Sequence, residues 1–137
     1  MDLHQQLTAN IDLSELFVTN QPGGQARLWE EFLALPEARR STYFKSLVRL
    51  ANKLQTIRSQ YGPVIISSGW RSLRVNSAVG GKPNSRHLVG QAADFNIKGL
   101  SPQQVQHLLD STWSGGLGYG KSFTHIDIRP YRARFAY

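Results

Sequence analysis

Cysteine is absent from this 137-residue chain. That excludes disulfides and thiolate metal sites, so any bound metal must be held by histidine and carboxylate. Long apolar runs are absent too. No stretch approaches the roughly 18 residues needed to cross a bilayer, and no membrane insertion is expected. The opening residues, Met1 to Phe17, carry no basic stretch followed by an apolar one and no small-residue cleavage site. No signal peptide is therefore read, and synthesis in the cytoplasm is expected. Acidic residues are scarce: nine Asp and Glu stand against sixteen Lys and Arg, a net charge of +7. That balance favours an anionic partner, whether nucleic acid, an acidic membrane surface or an anionic polymer. No long Lys/Arg run and no nucleic-acid signature appears. The basic residues that cluster are Arg129, Arg132 and Arg134. Repeats and low-complexity segments are also missing.

The length is that of one domain, 1–137, long enough to bury a core without staples. Residues 1–41 read as a polar lead-in and short helix, with an apolar patch at Leu13, Leu16, Phe17 and Val18. A turn follows at Gln21 to Gly24, and residues 26–35 suit a helix. The periodicity of Phe44, Leu47, Val48, Leu50, Ala51, Leu54 and Ile57 predicts a helix from Thr42 to Gln60, capped by Ser41 and ended by Gly62-Pro63. Val64 to Ile66 reads as a short buried strand and residues 72–79 as a short helix. Ala92 to Ile97 reads as a strand. Ser101 caps a further helix that has Pro102 at its first position. Residues 115–120 read as a glycine-rich turn, and Phe123 to Ile128 as a strand. The expected class is α+β: a single domain with a small antiparallel sheet flanked by helices.

The chemistry concentrates in Ser85-Arg86-His87-Leu88-Val89-Gly90-Gln91-Ala92-Ala93-Asp94, followed 31 positions after Asp94 by His125-Ile126-Asp127. A catalytic zinc takes three protein ligands and keeps a fourth position open. His87, Asp94 and His125, from a loop and two strands, can supply three. Four histidines allow several triads, and spacing alone does not choose among them.

The wording of the whole segment is more specific. Ser67-Ser68-Gly69-Trp70-Arg71-Ser72, Asn76, Gly80-Gly81, the Ser85-x-His87-x-x-Gly90-x-Ala92-x-Asp94 string, and Gly116 to Tyr119 with Phe123-Thr124-His125-Ile126-Asp127 together resemble the zinc D-Ala-D-Ala carboxypeptidase family. That family shares its fold with the hedgehog signalling domain. The likeness runs from about residue 42 to 135. It implies a hedgehog/DD-peptidase-like fold and hydrolysis of a peptide bond in peptidoglycan stem peptides, by a D,D-carboxypeptidase or endopeptidase, with phage endolysins among the members. It implies Zn2+ as cofactor, with His87, Asp94 and His125 as its ligands. It makes Arg71 a substrate-facing cation and Ser85 either a substrate contact or a loop cap. Many relatives carry an acid three residues before the last histidine, where this chain has Ser122. Asp127 shares the strand face of His125 and is the expected general base, or else orients a ligand. The chain is expected to be a monomer acting on the cell wall, with the Arg129, Arg132 and Arg134 cluster aiding attachment. The other classes are a non-catalytic zinc-containing wall-binding module and a basic nucleic-acid binder.

Overall fold

In the computed structural model, which describes residues 1–137, the longest element explains how the rest is placed. Helix α2 spans Glu37–Tyr61. It turns Leu47, Leu50, Ala51, Leu54 and Ile57 inward, the three-and-four spacing of one helical stripe. It begins earlier than the expected Ser41 cap, with Pro36 at the N-cap. The first turn is polar and so escapes a reading based on apolar periodicity. Arg40 secures that turn by donating to the carbonyls of Leu33 and Leu35. The helix stops at Gly62, whose φ of 109° falls where other residues are strained.

Helix α1 covers Gly24–Leu33, α3 Leu73–Ala78 and α4 Pro102–Asp110. Ser72 caps α3, and Ser101 caps α4 with Pro102 at its start. The strands are β1 (Val64–Ser68), β2 (Ala92–Ile97), β3 (Gly116–Tyr119), β4 (Thr124–Asp127) and β5 (Ala133–Ala136). They form one sheet in the order β1-β2-β4-β3-β5. Every pairing is antiparallel except β3 with β5, which run parallel. The α+β class is as expected. Two strands differ from expectation: the glycine-rich stretch is β3 rather than a turn, and β5 has no counterpart in the sequence reading.

The lead-in belongs to the core. Leu13, Leu16, Phe17, Leu28 and Phe32 are fully buried in the same cluster as Leu50, Phe95 and Ile126. Burying one such side chain contributes about 1.5–3 kcal/mol. Phe17 meets Phe32 edge-on at 5.0 Å, and Phe32 meets Trp70 at 5.1 Å. The Leu16 carbonyl accepts the Trp70 amide at 2.9 Å. A Cβ on Gly69 would fall 2.3 Å from that carbonyl oxygen, so only glycine permits the approach. Residues 13–32 thereby fix the stretch after β1 that borders the functional site. No helix is long and apolar enough to cross a membrane.

Candidate metal centre

Strand register brings the first two groups together. Asp94 on β2 lies directly opposite His125 on β4, and opposed residues of an antiparallel pair share a face. His87 arrives from a different direction, on the 3-10 turn Arg86–Val89. The hydroxyl of Ser85 accepts the His87 amide at 3.2 Å, so Ser85 caps this turn. Gly90, at φ 75°, ends it. His87, Asp94 and His125 are all buried, and one ligand atom from each lies within 4.8 Å of the others.

Ring orientation decides which atoms are offered. His87 Nδ1 donates to the Gly69 carbonyl at 2.8 Å. Its Nε2 is then the acceptor nitrogen. That Nε2 is a buried side-chain atom with no hydrogen-bond partner, 3.3 Å from Asp94 Oδ1. His125 Nε2 faces Asp127 Oδ2 at 2.8 Å, which leaves Nδ1 toward Asp94 Oδ1 at 2.9 Å. Two nitrogens and a carboxylate oxygen are thus convergent. The edges of a tetrahedron with ligands about 2.0 Å from a metal are about 3.3 Å, close to the 3.3 and 2.9 Å that separate Asp94 Oδ1 from the two histidine nitrogens. A buried polar atom without a partner ordinarily costs about 1–3 kcal/mol, and a metal ligated at Nε2 would remove that cost.

The electrostatics favour ligation at His87, whereas His125 must give up a proton to bind a metal. Burial pushes the His87 pKa down despite the neighbouring Asp94, which keeps the imidazole neutral as ligation requires. Burial also opposes charge on His125, but hydrogen bonds with Asp127 and Asp94 outweigh it and its pKa is raised. Burial opposes ionisation of Asp94 too. The contacts of His125 and His87 outweigh that, and Asp94 is held well below the usual carboxylate range.

Asp127 sits behind His125 with its side chain fully buried. Its Oδ1 accepts from the Gly116 amide at 3.1 Å and from Arg129 Nε at 2.7 Å. Its Oδ2 accepts from Arg129 at 2.7 Å as well as facing His125. Burial again opposes its charge, but the contacts of His125 and Arg129 hold its pKa far below the ordinary carboxylate value. Strand β3 makes the room. Gly116 lies opposite Asp127, and Gly118 opposite His125. A Cβ on Gly116 would stand 2.2 Å from Asp127 Oδ2. One on Gly118 would meet Phe135, Tyr137 and the His125 Cβ within 3 Å. The glycines that suggested a turn are a strand stripped of side chains beside the site.

Arg71 stands at the edge of the centre, 14% exposed. It reaches Asp94 Oδ2 at 3.4 Å, Ser68 Oγ at 3.1 Å and Asn76 Oδ1 at 3.3 Å. Ser122 is exposed, and its carbonyl accepts from Asn96. His107 is exposed on α4.

The arginine cluster is not a free patch. Arg129 is bound to Asp127. Arg134 is bound to Asp110 and to the carbonyls of Gly115 and Trp113, and Arg132 pairs with Asp110. Sequence reasoning placed Arg129 in an attachment cluster and missed its contact with Asp127; it also missed Phe135 and Tyr137, whose rings lie 5.3 and 6.0 Å from that of His125.

The family model described as Peptidase M15 matches residues 27–128. The peptidoglycan L,D-endopeptidase MepK of Escherichia coli (strain K12) is 35% identical over 96 residues, covering 65% of this chain and 50% of that protein. The zinc D-Ala-D-Ala carboxypeptidase of Streptomyces albus G is 50% identical over 45 residues, covering 31% of this chain and 18% of that protein. The chain therefore spans about half the length of the first of these relatives, or less.

Proposed function

The chain belongs to the peptidase M15 family, and on that premise we propose that it is a zinc-dependent peptidase hydrolysing a peptide bond in peptidoglycan stem peptides. The observation that carries this reading is the convergence of His87 Nε2, Asp94 Oδ1 and His125 Nδ1, with the first of these buried and unpartnered. Relatives named for zinc and for peptidoglycan support the metal and the substrate class.

Zinc, when bound by these three, supplies Lewis acidity at the scissile carbonyl. The Gly69 carbonyl holds the His87 ring so that Nε2 points inward. Arg71 presents a cation beside Asp94, placed to hold a substrate carboxylate or the oxygen on which charge develops. Ser85 shapes the turn that carries His87.

Two roles are open to Asp127, general base and support for His125. Its contacts favour support. Both oxygens are engaged, its side chain is fully buried, and it lies on the Nε2 side of the ring while the metal atoms converge on the Nδ1 side. A ligating histidine commonly donates its other N–H to a carboxylate, which fixes tautomer and orientation. Arg129 and the Gly116 amide fix that carboxylate in turn.

The same observation favours a second reading. With Asp127 engaged and Ser122 neutral, a metal-containing module that binds the wall without cutting it also fits the site. Digestion of purified peptidoglycan, read by mass spectrometry, separates the two. The peptidase reading expects new termini at one type of peptide bond, abolished by chelator and restored by zinc. Wall binding with no new termini would establish the module instead.

A further inference from the structure

The net charge of +7 is not carried by the arginines near the end of the chain, which are taken up by Asp110 and Asp127. Arg71 and Arg74 are paired as well, with Asp94 and Glu31. The free positive charge is densest on helix α2. It carries Arg39, Arg40, Lys45, Arg49, Lys53 and Arg58, and its one acid, Glu37, stands in the first turn. None of these six cations belongs to an ion pair.

Lys45, Arg49 and Lys53 form a row. All three are exposed. They are four residues apart, so they lie along one face of the helix at steps of about 6 Å. Like charges at this spacing repel one another, a cost that an anion lying across the row would remove.

The fold sets this row apart from the metal centre. The inward stripe of α2 packs in one cluster with Ala93, Phe95 and Ile126. Those residues alternate with Asp94 and His125 along β2 and β4, and successive residues of a strand face opposite sides of the sheet. Helix α2 therefore covers the sheet face opposite the metal centre, and its outer face points further away still. A polymer lying along the row leaves the metal centre open.

The surroundings of the row select among anions. Every exposed residue from Thr42 to Gln60 is polar. The face thus offers nothing to enter the boundary of a bilayer and no aromatic ring on which a nucleic-acid base could stack. What it offers is a rigid line of charge about 12 Å long, which suits the repeated, fixed anions of an extended polymer.

We infer that the outer face of α2 is a docking surface for the carboxylate-bearing strands of the peptidoglycan network, on the side of the molecule opposite the metal centre. The inference rests on the peptidase reading above and adds a second contact with the same polymer. Two contacts with one network raise the effective concentration of its cleavable bonds at the metal.

The test uses the zinc-loaded protein and two triple variants. One carries Lys45→Gln, Arg49→Gln and Lys53→Gln. The other carries Arg27→Gln, Lys98→Gln and Lys121→Gln, which removes the same charge from exposed positions on other elements. Both change exposed side chains only and should melt as the wild type does. Affinity for purified sacculi is measured by sedimentation in the cold at low ionic strength. The α2 triple should bind roughly tenfold more weakly, the worth of three exposed charge pairs, and the other triple nearly as the wild type does. Hydrolysis of a short soluble stem peptide should be alike in all three proteins, while release of fragments from sacculi falls in the α2 triple alone. Equal weakening by both triples, or none by the α2 triple, overturns the docking surface. Vesicles containing an anionic phospholipid and duplex DNA are tested in parallel. If the α2 triple loses binding to either of these and keeps its binding to sacculi, the row serves that partner and the wall assignment is overturned. If no peptide is cut yet binding to sacculi keeps its dependence on the row, the docking surface stands and the peptidase reading fails.

Discussion

Replacing Asp127 by Asn is the perturbation that best separates holding a ligand from moving a proton. The side chain is fully buried and accepts from Arg129 through both oxygens. Removing one partner of a buried ion pair costs about 3–5 kcal/mol. Asn keeps one acceptor oxygen, and Arg129 is 18% exposed, so the lower figure of about 3 kcal/mol applies. In a domain of this length each kcal/mol moves the melting temperature by about 4 °C, which predicts a fall of about 12 °C. The amide also acts on the metal. With its nitrogen beside His125 Nε2, it favours the tautomer that carries the proton on Nδ1, the atom facing Asp94. Loss of an outer partner of a ligating histidine typically lowers metal affinity about 10- to 100-fold. Zinc affinity measured by competition with a chromogenic chelator should fall by that amount, while turnover at saturating zinc stays within about tenfold of the wild type. Loss of a general base does the opposite: turnover falls about 100- to 10,000-fold and affinity holds. That second pattern would refute the assignment and restore Asp127 as the base.

Other expectations follow from the same contacts. Gly116→Ala would drive a Cβ into the Asp127 carboxylate; it should destabilise the protein by about 1–3 kcal/mol and weaken zinc binding, and a wild-type zinc titration would contradict the packing argument. Arg71→Ala should lower kcat/KM by about 100-fold, a larger effect than the loss of its contacts with the buried Asp94 and Asn76 has on melting temperature; a large thermal shift with unchanged activity would make it structural. Asp94 and Asp127 are both held below the ordinary carboxylate range. Their stabilisation of the metal-free protein is complete above about pH 4 and is lost as pH falls through their lower folded values. Asp127→Asn should therefore show a smaller decline in urea midpoint between about pH 5 and pH 2 than the wild type, and an identical decline would refute the linkage.

Much of the site was legible because its residues fall in a motif string whose likeness to a known family implied the ligand set; spacing alone left several triads open. His87 precedes a glycine that ends its turn, whereas the strands of Asp94 and His125 are buried on both faces and carry little alternation. Helix α4 announces itself by Ser101 and Pro102. What escaped is non-local. The Gly69 carbonyl that orients His87 is backbone and depends on the lead-in packing against Trp70. Arg129 pairs with Asp127 within two residues, yet arginines near the end of a basic chain read as a patch for an anionic partner. Strand β3 lacked periodicity because Gly116 and Gly118 make space for the side chains of β4 and β5 rather than presenting their own. The first turn of α2 is polar, so apolar spacing placed its start too late.

The central claim is that His87, Asp94 and His125 hold one zinc ion. Titration of the chelator-stripped protein with zinc, followed by elemental analysis after gel filtration, tests it directly. The account predicts one equivalent retained by the wild type and close to none by His87→Ala or His125→Ala, each still folded by circular dichroism. Full zinc occupancy in either folded variant would contradict it.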